Sequence, residues 1–151
     1  MAKPRVGIIL GSKSDLPALA KAEAQLKAFG IAYDITVASA HRNPRQVEQY
    51  AKSAERNYDL IIAAAGMAAA LPGVVAAHTH LPVIGIPLHS AGLGGHDALF
   101  SIVQMPPGVP VATVAIDGAK NAAILAAQIL ALKYPALAAK LKHFKQGMAK
   151  K

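Results

Sequence analysis

A chain of 151 residues with 54% hydrophobic and only 16% charged side chains is expected to form one domain with a real core, and to bury further apolar surface in an oligomer. The absence of cysteine excludes a disulfide framework and thiolate chemistry and suits a cytoplasmic protein; no apolar run reaches the roughly eighteen residues of a membrane span, and the first residues lack a signal peptide's apolar core. The net charge of +8 raises nucleic acid as a partner, but the basic residues are scattered outside the tail (Lys140, Lys142, Lys145, Lys150, Lys151), and the aromatics, at 5%, do not interleave with them, which argues against it.

Residues 5–10 form a short, continuous, β-branched run that predicts a buried parallel strand. It enters Gly11-Ser12-Lys13-Ser14-Asp15, a turn of small residues and hydroxyls. A helix follows with Leu16, Leu19, Ala22, Leu26 and Phe29 at helical spacing, closed by Gly30. Such a turn can present backbone N–H groups to a phosphate or simply cap the helix; it is neither a Walker motif nor a GxGxxG fingerprint.

A second strand, about 33–38, leads into Ser39-Ala40-His41-Arg42-Asn43-Pro44. Asn43 suits an N-cap, Pro44 the first helical position, and Gln46 a capping-box-like partner. His41 and Arg42 are thereby placed at the carboxyl end of a strand, just outside a helix N-terminus, where open α/β sheets bind ligands. An imidazole beside a fixed cation and a helix dipole suits an anionic substrate that needs a proton moved. Ordinary polar loop residues would satisfy the same pattern.

The next helix carries Val47, Tyr50, Ala51 and Ala54 on one face. A third strand, 59–64, runs into Ala65–Gly73, a loop of tiny side chains that can accept a ligand against its backbone or pack on a neighbouring subunit, with Pro72 opening a short helix. A fourth strand, 82–86, precedes the glycine-rich 87–95, expected to be a mobile or closely approached loop. A helix of about 97–104, a fifth strand at 111–116 and a long apolar helix with Leu125, Ile129 and Leu132 on one stripe come next. The last helix, about 135–147, carries Leu137, Leu141, Phe144 and Met148, a stripe expected to pack on a neighbouring subunit rather than close the core. Five βα units in alternation predict a three-layer αβα, flavodoxin-like fold for residues 1–151, with a parallel sheet in the order 2-1-3-4-5. In that order the loops after the first three strands converge on one crevice.

His78, His80, His89 and His96 raise a metal site. His78 and His80 do not share a helix face, however, and no carboxylate lies near them in sequence, so no metal is expected. Ser12 and Ser14 lack the Gly-x-Ser-x-Gly elbow of a hydrolase nucleophile. One histidine, one arginine, one aspartate and several hydroxyls at strand ends remain, a set able to hold a phosphorylated metabolite and shuttle one proton.

The segments Gly11–Asp15, Ser39–Pro44, Ala64–Gly73, Ser101–Pro106 and Gly108–Ile116 together are similar to one ordered pattern. Over nearly its whole length the chain resembles the N5-carboxyaminoimidazole ribonucleotide mutases of purine biosynthesis, relatives of the phosphoribosylaminoimidazole carboxylases. The resemblance implies a flavodoxin-like homo-octamer without metal or organic cofactor. It implies a phosphorylated ribonucleotide bound by Ser12, Asp15 and Arg42, with Arg42 on the phosphate and Asp15 on the ribose hydroxyls. Ser14, Ser39, Ala40 and the loop of Gly66, Met67, Ala70 and Leu71 would shape the pocket, and His41 would be the proton shuttle. In the implied reaction carbon dioxide leaves N5, is retained and attaches at C4, which suits a small, dry cavity. Two positions depart from the family: Ala70 stands where a histidine is usual, and the loop 117–121 is shorter. The residues leave a direct carboxylase using carbon dioxide and a non-catalytic nucleotide-binding relative as alternatives, while Gln104-Met105-Pro106 favours the mutase branch.

Overall fold

The computed structural model describes residues 3–150. Strands β1 (Arg5–Leu10), β2 (Ala32–Val37), β3 (Leu60–Gly66), β4 (Val83–Leu88) and β5 (Ala112–Thr113) form one sheet in the order β2-β1-β3-β4-β5, every pairing parallel. The helices are α1 (Ala20–Phe29), α2 (Pro44–Ala54), α3 (Leu71–Ala77), α4 (His96–Val103), α5 (Ala119–Ala131) and α6 (Pro135–Met148). This is the predicted flavodoxin-like topology.

Strand periodicity explains the layers. Val6, Ile8, Leu10, Leu60, Ile62, Ile84 and Ile86 face one cluster, which α1, α5 and α6 close with Leu26, Ala123, Ala127, Leu137 and Leu141. Ile9, Ile61, Ala63 and Val83 face the other, closed by Val47, Ala51, Val75 and Ile102 of α2, α3 and α4. Both faces are covered, so the central strands are continuous apolar runs rather than alternating ones. Between α2 and the sheet the fit is close. A Cβ on Gly7 would stand 2.4 Å from the Tyr50 hydroxyl and 2.7 Å from the Tyr58 ring.

The local endings follow the residue types. Gly30 takes the left-handed conformation at φ 71° and closes α1, donating its N–H to Leu26 and Lys27 carbonyls. Asn43 caps α2, its side-chain carbonyl accepting the Gln46 N–H at 3.3 Å while its side-chain amide donates to Gln46 Oε1 at 3.0 Å. Four expectations are corrected. The first helix does not begin as α-helix: Lys13–Leu19 is 3₁₀, with Pro17 inside it unable to donate an N–H, and Leu16 is exposed. Strand β5 is only two residues long, because past Thr113 the chain keeps only isolated bonds to β4, from the Val114 N–H to the Gly85 carbonyl and from the Asp117 N–H to the Pro87 carbonyl.

Helix α5 buries Ala119, Ala122, Ala123, Ala126, Ala127 and Leu130 most fully; of the Leu125, Ile129, Leu132 stripe the first two are half-buried against the same cluster, and Leu132 is 90% exposed. Small side chains let α5 approach α1 closely, so alanines serve as its core face. The stripe of α6 is also used at home. Leu137 and Leu141 are buried in the chain's own core, and the Phe144 ring meets Phe29 edge-on at 5.6 Å, leaving Met148 exposed. Lys140 strengthens this seam by donating from Nζ to the Phe29 carbonyl at 2.6 Å.

Leu137→Ala is expected to cost about 2–5 kcal/mol of stability, as for a large-to-small change in a core. Chemical denaturation checks this; an unchanged midpoint would place α6 outside the core.

Candidate functional site

The carboxyl ends of the strands open into a cleft of about 610 Å³. All the residues singled out from sequence line it: Ser12, Ser14 and Asp15 after β1, Ser39, Ala40, His41 and Arg42 after β2, and Gly66, Met67, Ala70 and Leu71 after β3. The strand order accounts for the convergence, since β1 lies between β2 and β3.

The loop after β2 is a closed turn. The Asn43 N–H donates to the Ser39 carbonyl at 2.8 Å, and Ser39 Oγ accepts from the Arg42 N–H at 3.2 Å and from Arg42 Nε at 3.3 Å. The Arg42 guanidinium also reaches across to the loop after β1, donating from Nη2 to the Gly11 carbonyl at 3.2 Å. One side chain thus ties the two loops together, and His41 sits exposed within the turn beside the N-terminus of α2. Facing it, Ser12 Oγ accepts the Ser14 N–H at 3.3 Å and exchanges a hydrogen bond with Ser14 Oγ at 2.9 Å.

The loop after β3 is wound tightly. Met67 takes the left-handed region at φ 56° and is 67% exposed, and the Ala69 and Ala70 N–H groups bond back to the Met67 and Ala68 carbonyls at 2.9 and 2.8 Å. A non-glycine residue held there is backbone strain at a cleft wall. Burial raises the Asp15 carboxyl above its ordinary value.

Two polar lining residues escaped the sequence reading, His89 and Ser90, which follow β4. The signal was present in the strand order: β4 adjoins β3, so its carboxyl end faces the same crevice. The remaining histidines disperse. His80 bonds through its N–H and Nδ1 to Glu55 Oε1, at 2.7 and 3.1 Å, and His96 Nδ1 lies 3.0 Å from the Leu93 carbonyl. Glu55 is the carboxylate partner that the local sequence around His80 did not offer. Pro87 and Leu88 belong to β4 rather than to the expected loop, and Gly95, at φ 90° with Ile116 where its Cβ would be, makes the remaining 89–95 segment a closely approached one.

Residues 5–151 match the family model described as AIR carboxylase. The chain is 61% identical over 146 residues to the N5-carboxyaminoimidazole ribonucleotide mutase of Thermotoga maritima, covering 96% of this chain and 85% of that protein. It is 58% identical to the protein of the same name from Saccharolobus solfataricus, covering 96% and 92%. Its structure is similar to the crystal structure of Treponema denticola PurE, with TM-score 0.89, 35% identity, and coverage of 98% of this chain and 93% of that one.

The raised Asp15 carboxyl yields a signed expectation. An acid whose pKa is higher folded than unfolded contributes its stability fully below the unfolded value and loses it as pH rises through the folded value. Asp15→Asn is therefore expected to raise the melting temperature at neutral pH, with the gain vanishing below about pH 4, where the unfolded carboxyl is itself protonated. Melts across that range check it, and equal midpoints at neutral pH would contradict it.

Proposed function

The chain belongs to the AIR carboxylase family and is an enzyme of purine biosynthesis, an N5-carboxyaminoimidazole ribonucleotide mutase, and we propose that His41 carries the proton this isomerisation moves. The reaction breaks the bond between N5 and the carboxylate carbon, and N5 gains a proton. The released carbon dioxide then bonds to C4, and C4 loses its proton. Proton count is unchanged overall, so one imidazole that gives a proton to N5 and takes one from C4 returns to its starting state. Imidazole suits this because its charge changes near neutral pH.

The observation that carries this reading is the closed Ser39–Asn43 turn, which holds His41 in the cleft while its neighbour Arg42 ties that turn to the loop after β1. Arg42 takes the phosphate, with the serine hydroxyls of Ser12 and Ser14 beside it, and Asp15 takes the ribose hydroxyls. Ser39, Ala40, Gly66, Met67, Ala70 and Leu71 shape the wall where carbon dioxide is retained, and its side chains after β3 offer an apolar surface with no competing hydrogen-bond donor or acceptor. The enzyme works as a cytoplasmic homo-octamer. Exposed Leu93, Phe100, Val103 and Leu132 support further burial between subunits.

His41→Asn is expected to abolish turnover while leaving ribonucleotide affinity within about tenfold, since it removes proton transfer and keeps a side chain of similar size. Full activity would remove His41 from the chemistry. Arg42→Ala is expected to weaken binding by about 2–4 kcal/mol, the loss of a charge-assisted phosphate contact. Titration calorimetry reads it, and unchanged affinity would take Arg42 out of the phosphate site.

A further inference from the structure

Besides His41, one other imidazole lines the cleft, and the proton shuttle leaves it unused. His89 is exposed and immediately follows β4. Its root is fixed from two sides. Its backbone N–H donates to Asp117 Oδ1 at 2.9 Å, and Asp117, held at φ 56°, donates its own N–H to the Pro87 carbonyl at 2.8 Å. Behind it packs Gly95, where a Cβ would stand 3.2 Å from His89 Cα and 2.7 Å from Ile116 Cγ2.

The substrate brings two anionic ends into the cleft, a phosphate and a carboxylate. The one fixed cation among the lining residues is Arg42, on the β2 side, and the phosphate takes it. Asp15 is an acid and offers a carboxylate nothing. The wall after β3, from Ala65 to Leu71, carries only Ala, Gly, Met and Leu side chains. On the far side, after β4, stand His89 and Ser90; both can donate to a carboxylate, and the imidazole of His89 is the longer side chain of the two. A neutral imidazole N–H can already make that hydrogen bond.

We propose that His89 binds the carboxylate that the reaction moves, holding it over the β3 wall while His41 exchanges the proton. This rests on the mutase reading above, and makes His89 a substrate-recognition residue.

The test compares two ligands that differ only in the carboxylate, aminoimidazole ribonucleotide and its 4-carboxylated form, binding to wild type and to His89→Ala. The 4-carboxylated ligand is expected to lose about tenfold or more in affinity, and the uncarboxylated one less than about twofold, as for one hydrogen bond to a charged group. Retained binding of the uncarboxylated ligand also shows that the variant is folded. Equal losses for both ligands would make His89 a support of the cleft's shape, and no loss for either would remove it from the site; each overturns the assignment. Failure of the mutase reading is visible separately, as wild type that binds both ligands but never interconverts the carboxylated ones.

Discussion

A parallel sheet covered by helices on both faces leaves chemistry the ends of its strands. Here both faces are sealed by apolar clusters, and the central strands carry hardly a polar side chain between Val6 and Leu88. Polar groups displaced from the core collect in the loops at the carboxyl ends, where backbone and side chains can still be satisfied. The order β2-β1-β3-β4 then decides which loops become neighbours. The cleft across those ends presents hydroxyls and an acid after β1, a histidine and a cation after β2, apolar backbone turns after β3 and an imidazole after β4.

The same constraint explains the use of small residues. Alanines on α5 and glycine in β1 allow helices to lie close to the sheet and to each other, and the Tyr50 and Tyr58 side chains occupy the space above Gly7. At the cleft, small side chains have a second consequence: they leave the backbone of the loop after β3 open to close approach. Strain is confined to the rim, at Met67 and Asp117, the non-glycine residues with positive φ among the described residues. Burial of the Asp15 carboxyl is a further cost carried by the site rather than by the core.

Much of this was legible in the residues. Continuous β-branched runs marked the inner strands, Gly30 and Asn43 marked helix ends, and the crossover rule set the sheet order. The cleft residues after β1, β2 and β3 followed from that order. What could not be read depended on packing partners. Nothing local distinguishes the alanine face of α5 from its leucine stripe, since the choice is made by how near α1 lies. The α6 stripe has a spacing that serves a neighbouring subunit or the chain's own core equally well, and Phe29 and Lys140 decide it. In sequence His89 is one of four scattered histidines, in a stretch marked by its glycines rather than by the strand it follows.

Ala70, where the resemblance leads to the expectation of histidine, lines the wall proposed to retain carbon dioxide, so the source of the carboxyl group separates the mutase from a direct carboxylase. A paired assay following the 4-carboxylated product tests it. One arm starts from N5-carboxyaminoimidazole ribonucleotide, the other from aminoimidazole ribonucleotide with high bicarbonate. Product chiefly in the first arm is the predicted result. Product only in the second would make the protein a direct carboxylase and contradict the account.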